Sequence, residues 1–347
     1  MNSQHFFSTQ SRRDFLKRLI ATGSLFHLTG SNLFASFDTK ANQDESPAFI
    51  FKYKTMSVDH LNDLQKYIDK IKRSGKISKH PVFKSYIKDK RFKIPENFPE
   101  ARFLVIMAVF TKLMNVNFHL DGTMYETMIP PQYYDDGISI DDLIKTTQQQ
   151  IIKEPDYRVE KASQIHLKLL AARSGLGKYG RNNIIFVDDM GSFITLYAFF
   201  TDFQFGEDNW HEIKMLEECE KCRNCLGICP TSCITLENFV IDVTKCITLY
   251  NEIDGKFPRW IRPSWHSTLM GCMKCQIPCP ANEKVPDYVG RLEDVTEEET
   301  LKILQGKSDE ELINSLNKKL KGFAPATSKE YFPIFTRNLS VLINQKG

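Results

Sequence analysis

A mixed α/β (α+β) domain, then a small cysteine-bearing module, then a helical carboxy-terminal tail: this is the architecture the sequence predicts. Three observations predict it. Apolar runs of strand length alternate with stretches of helical periodicity up to about residue 205. All nine cysteines then fall between positions 219 and 279. Beyond them, Thr296-x-x-Glu299 opens a charged segment with helical spacing that runs to the end. The expected divisions are 1–41, 42–205, 206–290 and 291–347. Hydrophobic residues at 41% and charged residues at 26% of 347 exclude a disordered or fibrous chain.

Residues 1–41 hold five basic side chains (Arg12, Arg13, Lys17, Arg18 and Lys40) against Asp14 and Asp38, which accounts for the whole formal charge of +3. The rest of the chain is neutral, which argues against a broad phosphate-binding surface. Within that segment, Ser11-Arg12-Arg13-Asp14-Phe15-Leu16-Lys17 is a twin-arginine pattern, followed by a short apolar stretch from Leu19 to Leu28. It is too short and too polar for an ordinary membrane span. A Tat export signal is expected, with Ala35 or Ala41 as its end; the plainer reading is an amphipathic first helix. Export by Tat carries folded proteins, so a cofactor can be inserted before crossing. The expected location is the periplasm or the outer face of the cytoplasmic membrane.

Along the body, Ser57 can cap a helix bearing Leu61, Leu64, Ile68 and Ile71, ending near Gly75. Phe103 to Phe110 reads as a strand buried on both faces. Ser139 with Asp142 opens a helix through Ile152, and 162–174 reads as another, with Gly175 after its end. Asn183 to Val187 and Ser192 to Phe200 read as two strands joined by the turn Asp188-Asp189-Met190-Gly191. A further short strand is expected at Phe239–Val243.

The cysteines carry the chemistry. Cys219-x2-Cys222-x2-Cys225-x3-Cys229-Pro230 is the run of bacterial ferredoxins, in which three close thiolates hold one 4Fe–4S cluster and the fourth ligates its neighbour. Cys272-x2-Cys275-x3-Cys279-Pro280 is the second motif. Two clusters need eight thiolates and the motifs supply seven, so Cys233 or Cys246 completes the set. Cys246 is chosen, because Cys233 lies on the turn just after Cys229, and Cys233 is read as a small buried hydrophobe. Crossed ligation then assigns Cys219, Cys222, Cys225 and Cys279 to cluster one. Cluster two takes Cys229, Cys246, Cys272 and Cys275. Zinc has no use for a third cysteine at x2 followed by Cys-Pro, and C-x2-C is a poor disulfide frame.

Residues 165–282 resemble the superfamily of epoxyqueuosine reductases and corrinoid-dependent reductive dehalogenases. The resemblance rests on Leu170-Ala171-Ala172-Arg173-Ser174-Gly175-Leu176-Gly177-Lys178-Tyr179-Gly180-Arg181-Asn182-Asn183, on Met190-Gly191-Ser192-Phe193 and Thr201-Asp202, and on Lys245-Cys246-Ile247 and Gly271-Cys272-Met273-Lys274-Cys275-Gln276. It supports Cys246 as the extra ligand and implies a nitroreductase-like fold holding a cobalamin, with one cluster delivering single electrons to it. Gly175, Gly177, Gly180, Arg181, Asn182, Gly191 and Ser192 are the implied corrinoid contacts; otherwise the glycines merely end a helix and turn the chain. Epoxyqueuosine reductases place an acidic proton donor where this chain has Lys161, beside Glu160, and reductive dehalogenases use a tyrosine, for which Tyr157 is the nearby phenol. Glu160 and Tyr157 are therefore the candidate catalytic groups, against the plainer reading of a solvated helix start. His266, six residues before Cys272, could bond a cluster sulfur, and His166 is the other imidazole of interest.

The function expected is an exported oxidoreductase with two 4Fe–4S clusters, passing electrons to a site, corrinoid or otherwise, in the α/β domain. The rival is a pure electron-transfer module. An epoxyqueuosine reductase proper ranks last, because export separates it from tRNA, the body is neutral and the acid is displaced. The expected partners are the Tat machinery and an electron donor, membrane-associated or soluble. No nucleic acid is expected.

Overall fold

The computed structural model describes residues 49–75, 77–88 and 90–345. The twin-arginine segment and both proposed signal ends, Ala35 and Ala41, lie outside the described residues. The main sheet is built on β2 (Phe103–Phe110). It pairs antiparallel with β1 (Phe51–Ser57) on one side and with the later strand β8 (Ile194–Thr201) on the other. A short strand, β5 (Val159–Lys161), extends the far edge of β8. The order β1-β2-β8-β5 is antiparallel throughout, which makes the domain α+β.

The unbroken apolar run of β2 has a direct structural cause: both faces of the sheet are covered. Leu104, Ile106 and Ala108 face a core with Leu61 and Leu64 of α1 (Leu61–Arg73) and Leu170 and Ala171 of α4 (Leu167–Arg173). Val105, Met107 and Val109 face the other way, onto Leu143, Ile151 and Phe199. Each such side chain contributes roughly 1.5–3 kcal/mol on burial, so this strand organises the domain. Between the sheet's elements lie α2 (Pro81–Lys88), the hairpin β3 (Leu113–Leu120) and β4 (Thr123–Ile129), and α3 (Ile140–Thr146). The Ser139–Asp142 capping box is formed, and α3 continues as a π turn through Ile152.

Two expected elements differ, and one forms with unexpected partners. The helix read over 162–174 begins only at Leu167, because the preceding residues join the edge of β8 and Ala162 N–H still donates to Ala198 O at 2.8 Å. The two strands read over 183–187 and 192–200 form as β7 (Ile185–Phe186) and β8, and the turn between them is closed by the Val187–Gly191 bridge. They pair elsewhere: β7 folds back on β6 (Lys178–Tyr179), while β8 inserts beside β2. A strand apolar on both faces is stable only in a central slot, which a two-stranded hairpin does not offer. No strand forms at Phe239–Val243; the Phe239 ring instead meets the Tyr179 ring edge-on at 4.9 Å.

The cysteine region contains α5 (Asn224–Ile228), α6 (Ile247–Glu252) and α7 (Pro280–Glu283). After β9 (Val289–Arg291) come α8 (Glu297–Leu304), α9 (Glu310–Lys319), α10 (Ala324–Thr327) and α11 (Phe332–Asn344). These helices bury Leu312, Leu316, Phe323, Phe332, Phe335 and Leu339 in one core with Val116 and Phe118 of β3, Ile129 of β4, and Leu269 and Met270. β9 lies parallel to β3 in the same unit. Packing therefore does not break at 205 or 290: the β3–β4 hairpin is shared between the first half of the chain and the last helices.

Candidate iron–sulfur centre

The nine cysteines line two cavities. The smaller is bounded by Cys219, Cys222, Cys225 and Cys279, with Pro280, Phe186 and the loop Gly180-Arg181-Asn182. The larger, about 200 Å³, is bounded by Cys229, Cys233, Cys246, Cys272 and Cys275, with Asn182, Ile184, Ile234 and Ile247 among its walls. All nine are free thiols. Among the described residues, no three His, Cys, Asp or Glu side chains converge on one metal ion. Thiols spread around a cavity suit a cubane cluster, whereas a tetrahedral zinc draws its four sulfurs to one point. In number and chemistry the donors fit one four-iron cluster in each cavity.

Short local elements hold the thiols. Cys246 is the residue before α6, and Cys279 stands before α7, whose Pro280 occupies the first helical turn. Cys233, read as a mere hydrophobe, is 4% exposed but faces into the larger cavity. Its Sγ is 3.5 Å from that of Cys229. The Cys233 thiol beside it draws the Cys229 thiol down to about 5, and Cys246 is likewise lowered. Burial pushes Cys279 up to about 11 and raises Cys272 and Cys275. Thiols raised in this way become thiolates only with a cation to compensate, which iron provides.

The glycine loop lies against these cavities. Arg181 N–H points at Cys219 Sγ at 3.5 Å, and its guanidinium Nη2 donates to Cys219 O at 2.7 Å. Asn182, 4% exposed, donates from Nδ2 to Cys275 O at 3.1 Å and lines both cavities. At four of the glycines an added Cβ would meet protein. A Cβ on Gly177 would meet Ile185 Cγ2 at 2.7 Å and Phe186 O at 2.8 Å. One on Gly191, where φ is +57°, would strike Asn282 and Val285. The space beside Gly175 is filled by His211, and that beside Gly180 by Asn182 and Phe186. The close approach that absent side chains permit here is between segments of the protein itself. Ser192 is likewise engaged: its N–H donates to Asn282 Oδ1 and its Oγ accepts from Asn282 Nδ2, both at 2.8 Å. The Asn282 Nδ2 also reaches Gln276 O at 2.8 Å, so this one buried amide ties the second cysteine motif to the start of β8.

The family model that matches the chain is the 4Fe-4S double cluster binding domain, over residues 218–282. Both cysteine motifs, from Cys219 to Cys279, lie within that stretch. Over 123 residues the chain is 34% identical to the epoxyqueuosine reductase of Atelocyanobacterium thalassa, an alignment covering 35% of this chain and 38% of that one. The matched part thus spans little more than a third of that relative's length. Two solved structures share the fold across 84% of this chain. One is epoxyqueuosine reductase from Bacillus subtilis, at a TM-score of 0.57, 19% identity and 77% of that chain. The other is epoxyqueuosine reductase with a tRNA-Tyr epoxyqueuosine-modified tRNA stem loop, at 0.56, 18% and 76%.

That last structure corrects the expectation that no nucleic acid is a partner, because the same fold is seen beside tRNA. The physical fault is that net charge sums over a whole surface, whereas RNA needs only a local patch. One of the three grounds for ranking an epoxyqueuosine reductase last goes with it.

Neither Glu160 nor Tyr157 reaches the double-cluster cavities. Glu160, on β5, is held by Arg158 Nη2 at 2.6 Å and by Asn97 Nδ2 at 3.0 Å. The Tyr157 ring sits edge-on to Phe203 at 4.8 Å. His266 is 5% exposed and bonds Asn251 Oδ1 through Nδ1 at 2.9 Å; burial draws its pKa down to about 4, so it is neutral. Asn251 in turn donates to Gly271 O at 2.8 Å, so His266 braces the residue before Cys272 and lines neither cavity. His166 stacks on Phe92, away from the cysteines, with its buried Nε2 unpartnered in the structure. Sequence reasoning missed Asn282 and the α11 pair Arg337 and Asn338. Asn338 Nδ2 donates to Asn251 O and Leu269 O, and Arg337 to Tyr250 O and Ile253 O. Asn282 stood in plain view three residues after Cys279; the α11 pair carried no local signal at all.

Proposed function

We propose that this chain is an iron–sulfur reductase of the epoxyqueuosine reductase and reductive dehalogenase type. It moves single electrons through two 4Fe–4S clusters to an acceptor in the antiparallel-sheet domain. The observation that carries the reading is the division of the cysteines between two cavities that share Asn182 as a wall. In this reading Cys219, Cys222, Cys225 and Cys279 ligate cluster one, and Cys229, Cys246, Cys272 and Cys275 ligate cluster two. The clusters supply the one-electron chemistry. The protein holds them side by side, excludes water with Ile184, Ile234 and Ile247, and places the Arg181 N–H at a ligand sulfur.

Resemblance alone supplies cobalamin as the acceptor. A Cβ at Gly175, Gly177, Gly180 or Gly191 would meet other segments of the chain, and Asn182 and Ser192 already bond protein partners. A second reading, reduction of a modified nucleoside in tRNA, is favoured by the named relatives. Export by Tat, on the strength of Arg12-Arg13, would place the electron donor at the membrane.

Anaerobic purification of the full chain tests the core of the proposal. About eight iron and eight acid-labile sulfide per chain are expected, with two reduction steps by electron paramagnetic resonance. Four iron or fewer would overturn it. Cobalt and corrinoid analysis of the same sample, followed by addition of cobalamin, decides whether that cofactor belongs.

A further inference from the structure

The larger cavity presents one thiol more than a four-iron cluster uses, and the surplus thiol has a definite place. Cys233 lies four residues beyond Cys229, in a turn that brings its Sγ to 3.5 Å from the Cys229 Sγ. Cys246 borders the same cavity. Cys233 therefore stands in contact with one of the sulfurs assigned to cluster two. The Thr231 Oγ1 approaches Cys229 Sγ at 3.5 Å from the same turn. At 4% exposure Cys233 has almost no access to water.

Four thiolates complete a cubane, and a fifth anion buried among them would be strongly disfavoured. A buried S–H in that position has only sulfur to donate to. We propose that Cys233 is an uncoordinated thiol donor to cluster two: its S–H is directed at the ligating sulfur of Cys229, and it raises that cluster's reduction potential. The physical cause is the charge added on reduction. Electron density gained by the cluster falls largely on its sulfurs, and a donor aimed at them stabilises the reduced form more than the oxidised one. Cluster two is thereby biased to hold the electron relative to the same cluster without Cys233. Cys233 is a positioning residue for charge and makes no bond to iron. The inference rests on the two-cluster reading above.

The test uses the full chain, prepared anaerobically as wild type, Cys233→Ala and Cys233→Ser. Iron and sulfide are measured first, and each cluster is then titrated with reductant and followed by electron paramagnetic resonance. About eight iron are expected in all three proteins. In Cys233→Ala one potential moves negative and the other stays; in Cys233→Ser, which keeps a donor, the shifted potential returns toward wild type. Loss of about half the iron in Cys233→Ala would make Cys233 a ligand and overturn the proposal. Unchanged potentials, or a shift shared by both clusters, would also overturn it, the latter because general loosening of the module acts on both. A wild type short of two clusters would bring down the two-cluster reading itself, and the iron count shows this before any variant is compared.

Discussion

A thiol serves a cluster only where the backbone carries it within bonding reach of iron, so the eighth ligand is decided at the scale of one residue. Cys246 precedes α6 and lines the larger cavity with Cys229, Cys272 and Cys275. Cys246→Ala is expected to leave about four of the eight irons and to remove one of the two reduction steps, read by iron analysis and potentiometry. Asn282 is the second residue that decides something. Its amide makes three bonds that join Ser192 to the second motif, and it is 1% exposed. Asn282→Ala strands a buried Ser192 N–H and the Gln276 carbonyl, at a cost of roughly 1–3 kcal/mol. Anaerobic urea unfolding should show that loss, and no loss would mean that water replaces the amide. The thiols were legible in the sequence because C-x2-C spacing is itself the geometry of a cluster. Asn282 was not, because an amide declares nothing until its partners, 90 positions away in the case of Ser192, are known.

At the scale of elements, capping boxes were readable and pairings were not. Thr296 and Glu299 cap α8 as their spacing requires. The structure adds that Glu299 also bonds Lys319 Nζ at 2.6 Å and Ser315, clamping α8 to α9. Burial alone would raise its pKa; the hydrogen bonds from Lys319, Ser315 and Thr296 outweigh burial and hold it to about 2. A carboxylate depressed in this way stabilises the fold above its unfolded pKa, near 4.3. That stability is lost as pH falls from there toward 2. Roughly 1–2 kcal/mol is at stake once solvent screening is allowed for. Glu299→Gln should lower stability at pH 7 and flatten its decline between about pH 4.5 and 2, as read by denaturation at each pH. Local devices such as this box involve residues three apart, and sequence displays them. The pairing of β8 was unreadable for the opposite reason: Ser192–Phe200 is equally apolar for any partner, and only the vacant side of β2 selected one.

The scale of the whole molecule is where address and packing enter. In the proposed reading the clusters are loaded before export, and Arg12-Arg13 is the expected signal for a route that carries folded proteins. Replacing both by lysine should retain cluster-loaded protein in the cytoplasm. Secretion that continues without Tat but with Sec would contradict export in the folded state. Packing, for its part, erased the expected boundaries. Phe118 and Phe335, 217 positions apart, share one core at a ring separation of 6.1 Å. Through α11 that core supports the Asn251–Gly271 contact beside Cys272.

By itself the sequence displayed the two cysteine motifs, the apolar run of the central strand and the capping boxes of the helices. Each of these is written in spacings of two to eight residues. Tertiary structure alone decided that the glycine loop rests on the cysteine cavities, that Cys233 faces sulfur, and that Glu160 is spent on Arg158. It also decided that the last helices belong to the β3–β4 core. The reason is that burial energy is proportional to the area two surfaces hide from water, whatever their separation along the chain. A side chain's neighbours are therefore settled only when the whole chain has closed on itself.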